Sequence, residues 1–273
     1  MRLDPAFLRE SEDEFMRDDR FRIAMAALSR RSLSSVSYNP TERLGEWMTK
    51  EVECEPEMRD QHSTGTCWLQ AACALMDAFA LKKGIEVNFS ATHLSYFDKL
   101  EKSNVFLQRV PRSSREEWHL YNQDGPLTDG GTWGMFIFLV RKYGLVPMKA
   151  YPRTYQAMYT SQINKCIRHT LRNGKFAEIA TDRIMSEVHN ALARAYTPPP
   201  RTVRLTLEEN GIDWKGTPTE LFDWLAPDDL THYILLTHAP DRPMHKWYAS
   251  MTSNDASNDV QDPFFTVSME TLQ

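Results

Sequence analysis

Cysteine is scarce in this chain: Cys54, Cys67, Cys73 and Cys166 are the only four in 273 residues. They form no CxxC pair of the kind that holds zinc, and they are too few to staple a chain this long, which can bury a core of its own. The expectation is reduced thiols, with neither a metal nor a cofactor. Glycine is equally sparse at 11 residues, which argues against a turn-dense β architecture and for helix. A run of about 18 apolar residues, the length a membrane-crossing helix needs, is missing. The basic end and apolar core of a secretory signal are missing too, since the chain opens on the acidic stretch SEDEFMRDDR. A net charge of -5 supplies no general attraction for nucleic acid or anionic membranes. These absences point to the cytoplasm. Mitochondria are the alternative, because RFRIAMAALSRRSLSS has an Arg/Ser composition, although acidic residues precede it.

Present instead is a succession of helical patterns. Phe7, Leu8, Phe15, Phe21, Ile23, Ala24 and Leu28 recur at helical intervals, and a polar linker through Pro40 and Pro56 follows them. The segment CWLQAACALMDAFALKK is apolar nearly all round and follows the turn-forming HSTGT, which predicts a buried helix with Cys67 in its first turn. Ser90 is an apt N-cap for a helix that turns Leu94, Phe97 and Leu100 inward. MFIFLVRKY is a further helix, closed by Gly144. Long helices from Tyr155 to Tyr196 stop before Pro198, Pro199 and Pro200, and RTVRLTLEEN, LTHYILLTHAP and HKWYASMTS favour extended chain. The reading is α+β and α-rich, in three parts: an N-terminal helical arm and linker over 1–56, a helical domain over 57–197, and a mixed segment over 198–273.

The chemistry concentrates in DQHSTGTCWLQA. A thiol becomes a nucleophile when its thiolate is favoured, and the positive end of a helix does this. Cys67 is so placed. Gln61, on the turn before it, can point its side-chain amide at an oxyanion beside the Cys67 backbone N–H, as acyl transfer requires. Gly65 allows close approach and Trp68 shields the site from water. Read alone, a cysteine on an apolar helix is more often a small core residue. Asp129, Gly130 and Gly131 invite a phosphate or metal reading, yet a DGG turn before a helix needs no ligand.

The spacing of Gln61, Ser63, Gly65, Cys67, Trp68 and Ala71 resembles the active-site signature of papain-like cysteine peptidases, in the form of the bleomycin hydrolase and aminopeptidase C branch. FSATHLSYFDKLEKSNVFL, DGGTWGMFIFLVRKYGLVPMKAYP and HAPDRPMHKWYASM are similar to further segments of that family, and Asp60 stands where the family usually has asparagine. The resemblance implies that Cys67 is the nucleophile and Gln61 the oxyanion donor, with Trp68, Asp129, Gly130 and Gly131 at the substrate cleft. It implies a papain-like fold fragment lacking most of the C-terminal barrel-like half, and no missing secretory prosegment.

That family also needs a histidine, oriented by asparagine, late in its chain. None of the eight histidines stands in that context. His245 is nearest by spacing but belongs to the Asp-Pro-Arg-Pro segment. Two expectations follow: a peptidase acting on peptides, whose histidine and asparagine come from a second polypeptide or an unrepresented part of the product, or an inactive subunit of a larger assembly. Some family members form hexamers with a basic nucleic-acid-binding channel, so a homo-oligomer is also implied. The basic stretch Lys165 to Arg183 reads as a solvated helix face rather than such a channel, and nucleic acid and membrane are not expected partners.

Overall fold

The computed structural model describes residues 5–36, 57–109, 127–207, 211–225, 230, 233–249 and 262–272. The linker through Pro40 and Pro56, Cys54, His119 and His232 lie outside them. The chain falls into two units, Met1–Val52 and Glu53–Gln273.

In the first unit, α1 (Pro5–Arg17), α2 (Asp19–Leu28) and α3 (Leu33–Val36) follow one another closely. Asp18 caps α2 by accepting from the Arg20 amide at 2.9 Å. The rings of Phe15 and Phe21 stack at 5.2 Å across the α1–α2 corner. The helical pattern read from Phe7 to Leu28 is therefore present as α1 and α2, and its apolar residues Phe21, Ile23 and Leu28 are exposed.

The second unit is built on α4 (Cys67–Lys82), α5 (Ala91–Arg109) and α6 (Trp133–Tyr143). Leu69, Cys73, Met76 and Ala80 of α4 meet Leu94 of α5 and Phe136 and Val140 of α6 in one apolar core. The antiparallel hairpin of β1 (Val203–Leu207) and β2 (Ile212–Gly216), with α10 (Pro218–Leu225), adds Val203, Leu205, Leu221 and Phe222 to that core. Gly144 ends α6 at φ 70, ψ -167, a conformation open essentially to glycine alone. A Cβ there would collide with the Pro218 backbone.

After the short α7 (Tyr155–Met158), α8 (Ser161–Phe176) and α9 (Thr181–Tyr196) pack on the other side of α5. Ile163, Ile167 and Leu171 face Ile184, Val188 and Leu192 at three- and four-residue spacing. Gly174 lets them close, since a Cβ there would lie 2.6 Å from Ile184. Helix α9 stops at Tyr196, just before the prolines. Within the basic stretch of α8, Arg168 and Lys175 donate to the carbonyls of Leu127 (3.3 Å) and Leu107 (3.0 Å).

A small sheet has the order β3 (Leu235–Thr237), β5 (Phe264–Thr266), β4 (Trp247–Tyr248), parallel then antiparallel, and α11 (Met269–Leu272) follows. Among the described residues no helix is long and apolar enough to cross a membrane.

Helix α5 departs from the expected amphipathic pattern. Leu94 is fully buried, but so are Asp98, Lys99, Glu101 and Lys102, while Phe97 and Leu100 are only half-buried. His93 is buried as well; its Nε2 lies 3.0 Å from the Tyr143 carbonyl and its Nδ1 has no partner. Burial pushes its pKa down to about 4, against the opposing pull of the Tyr143 carbonyl. Between the ordinary value near 6.5 and this lowered one, the unfolded chain binds the proton and the folded chain does not. Stability is thus complete above pH 6.5 and falls as pH drops toward 4, by about 3 kcal/mol from this residue. Urea unfolding at pH 7 and pH 4.5 measures the loss, and His93→Gln is expected to remove most of its slope.

Candidate active site

The turn that leads into Cys67 is tied down from its upstream side. Arg59 reaches into the protein, where its Nε and Nη2 donate to Asp77 of α4 at 2.9 and 2.5 Å and Nη2 also donates to the Phe89 carbonyl at 2.8 Å. The next residue, Asp60, accepts the His62 amide at 2.7 Å and so folds the chain at His62, which has φ 55. The Thr64 hydroxyl donates to the Gln61 carbonyl at 2.8 Å and lies 2.7 Å from that of Thr66. Thr66 is the N-cap of α4 but gives no side-chain capping bond. Cys67 is thus the first helical residue, exposed, at the positive end of a 16-residue helix. Cys73 is fully buried two turns in, and burial pushes its thiol up to about 12. One helix therefore holds an exposed thiol at its first residue and a buried, inert one.

The downstream side of the turn is held by Asp129. Its carboxylate accepts from the Lys99 ammonium, from the Thr160 hydroxyl at 2.5 Å, from the Asn164 amide at 3.0 Å and from the Gly65 N–H at 3.5 Å. Burial raises its pKa, but Lys99, Thr160 and Asn164 outweigh that and hold it near 2. Gly65 suits this approach: a Cβ would lie 3.0 Å from that of Asp129, tighter than an ordinary contact. The Asp129 carbonyl accepts the Trp68 indole N–H at 2.7 Å. Gly131 lies flat against the same indole, where a Cβ would come within 2.5 Å of the ring. Lys102 completes the joint, with its Nζ 2.6 Å from the Gly130 carbonyl, 2.8 Å from that of Thr128 and 5.7 Å from the Trp68 ring centre.

The six residues singled out from the sequence thus lie on two loops pinned together. Gln61, Cys67 and Trp68 sit on one; Asp129, Gly130 and Gly131 on the other. Trp68 is bonded into the joint, which adds an anchoring role to the shielding expected of it. The Asp129 carboxylate is committed to internal donors, and among the described residues no set of three His, Cys, Asp or Glu side chains gathers as metal ligands.

Sequence reasoning overlooked the buried charges behind these loops: Arg59 and Asp77, Lys99 and Lys102, and Asp262. The last accepts from the Thr132 hydroxyl and the Gly134 N–H at the start of α6, tying the C-terminal segment to the DGG loop. Only the Asp98 to Lys102 spacing, which forms a 2.9 Å i,i+4 pair, gave a local signal for any of them. Of the histidines, His238 lies 3.1 Å from the Val267 carbonyl, and His245, at φ 58, donates its amide to Thr266 at 2.7 Å. Among the described residues no hydrogen bond joins a histidine ring to Cys67.

Comparison with known proteins places this geometry. Aminopeptidase W of Lactobacillus delbrueckii subsp. lactis is 25% identical over 298 residues, covering 99% of this chain and 68% of that protein. Aminopeptidase C of Listeria monocytogenes is 24% identical, covering 92% and 62%. Aminopeptidase E of Lactobacillus helveticus is 28% identical, covering 97% and 66%. The crystal structure of PepW from Lactobacillus rhamnosis superposes with a TM-score of 0.75 at 20% identity, covering 99% of this chain and 67% of that one. The chain therefore has the fold of PepW and spans about two-thirds of the length of its relatives. The Peptidase C1-like family profile matches residues 2–273, and this chain belongs to that family, in the bleomycin hydrolase and aminopeptidase C branch that the Gln61 to Trp68 motif resembles.

Proposed function

We propose that this chain carries the nucleophile and oxyanion half of a cysteine aminopeptidase. Cys67 attacks the peptide carbonyl, and Gln61 with the Cys67 N–H receives the developing oxyanion. Trp68, Asp129, Gly130 and Gly131 form one wall of the substrate cleft. The carrying observation is that Cys67 stands exposed at the uncapped start of α4, on a turn held rigid from both sides. The names of the matched relatives supply the reaction class and peptides as substrate. The histidine and its orienting asparagine are contributed by further polypeptide, as a second chain, an additional part of the product or a neighbour in an oligomer.

An epoxide probe for papain-like thiols tests this in the native assembly. Cys67 is expected to label at least about tenfold faster than Cys166, which is exposed in the middle of α8, because Cys67, unlike Cys166, stands at a helix N-terminus in the signature the probe recognises. Cys73 is expected to label only after unfolding, and Cys67→Ser to abolish the fast labelling. Equal rates at Cys67 and Cys166 would sink the enzyme reading. They would favour the second one, an inactive structural subunit, for which the lack of a histidine bonded to Cys67 among the described residues speaks.

A further inference from the structure

Gln61 can stabilise an oxyanion only if its side-chain N–H groups, and not its oxygen, face the cleft. Its Oε1 is buried and makes no hydrogen bond. Gln61 also lines a small cavity behind the turn, with Thr66, Gln70, Thr92, Ser95, Arg153 and the methyls of Ala91 and Ala157, and a volume of about 10 Å³, about that of one water position. Hydroxyls can turn either way, but Arg153 can only donate. A cavity walled by a guanidinium accepts the amide oxygen and rejects the amide nitrogen. Arg153 also ties the two sides of the turn together, with Nη1 donating to the Asp60 backbone carbonyl and Nη2 to the side-chain Oε1 of Gln70 at 3.1 Å.

We infer that Arg153 is a positioning residue for Gln61: it fixes the turn through Asp60 and Gln70 and, as the donor wall of the cavity behind Gln61, turns the amide oxygen inward and the N–H groups toward Cys67. This deepens the proposed function and rests on it. Arg153 touches neither substrate nor the reacting atoms.

The test compares two reactions at Cys67. With a peptide aldehyde, the sulfur adds to the carbonyl carbon and the π pair moves onto the oxygen; no group leaves, and the oxyanion or its protonated form rests against Gln61. With iodoacetamide, the sulfur displaces iodide and no oxyanion forms. Arg153→Gln and Gln61→Ala are each expected to weaken aldehyde binding roughly tenfold, a fraction of what a fully engaged oxyanion donor contributes, with the iodoacetamide rate at Cys67 changed less than about twofold. The double variant is expected to match Gln61→Ala alone, because both act through one group. Arg153→Lys, which keeps the charge but not the two-pronged grip, is the second variant should the first fail to fold, with the same pattern expected. Unchanged aldehyde binding in these variants, losses that multiply in the double variant, or an iodoacetamide rate that falls in step would overturn the assignment. Failure of the unsubstituted native assembly to bind the aldehyde would overturn the catalytic reading of Cys67 and Gln61 and this inference with it, and it is recognised before any substitution is made.

Discussion

Replacing Lys99 by methionine is expected to lower the unfolding free energy by about 3–5 kcal/mol, the range for removing one partner of a buried ion pair. Lys99 is 1% exposed, and its Nζ contacts the Asp129 carboxylate and Asn164 Oδ1, the latter at 2.7 Å. Methionine nearly conserves the volume, so the loss is electrostatic rather than a cavity. Asp129 keeps Thr160, Asn164 and the Gly65 N–H but loses its cation, and its pKa rises from about 2 toward the ordinary value. The sign follows from its present depression: the stability it contributes is complete above about pH 3.8 and is lost as pH falls through about 2. Lys99→Met therefore destabilises across the neutral range, where urea midpoints read it. Adding Asp129→Asn is expected to return a large part of the loss, because no unpaired charge then remains buried. A single variant within about 1 kcal/mol of the parent would show that the pair does not hold the two loops. Epoxide labelling of Cys67 is expected to slow in the same variant, since Asp129 joins Gly65 to Trp68 around that cysteine.

The helices and the turn before Cys67 were legible because their signals are local. Apolar residues at 3.6-residue spacing mark α4, α8 and α9, glycine at a positive φ closes α6, and prolines follow α9 directly. The Cys67 motif has a fixed spacing within one turn. What joins the loops was not legible, because it is long-range: Lys99 meets Asp129 and Asn164 only once α5, the DGG loop and α8 have assembled. Read along the chain, Asp98, Lys99, Glu101 and Lys102 look like a solvated helix face. In the fold they are buried: Asp129 and Asn164 meet Lys99, the Thr128 and Gly130 carbonyls meet Lys102, Lys142 and Tyr143 meet Glu101, and Asp98 pairs with Lys102. The same holds for Arg153, which looks like an ordinary loop arginine until the fold sets it between Asp60 and Gln70.

Asp77→Ala extends this logic to the other side of the turn, with an expected loss again of about 3–5 kcal/mol. Asp77 is 3% exposed, and its two oxygens accept from Arg59 and, at 2.9 Å, from the Phe89 N–H. Without it the Arg59 guanidinium, whose side chain is 6% exposed, keeps only the Phe89 carbonyl, while the Phe89 amide loses its acceptor. Asp77→Asn separates the two contributions: it can still accept from Phe89 but carries no charge, so an intermediate loss is expected if the ion pair and the Phe89 hydrogen bond both contribute. Chemical unfolding of the three proteins decides this, and equal losses for alanine and asparagine would assign the whole effect to the charge. Because Arg59 lies two residues before Gln61, Asp77→Ala is also expected to free the upstream end of the turn and narrow the labelling preference for Cys67 over Cys166. A destabilised variant that keeps the full preference would mean that the turn is held by Asp129 and Arg153 alone, with Arg59 serving only the core.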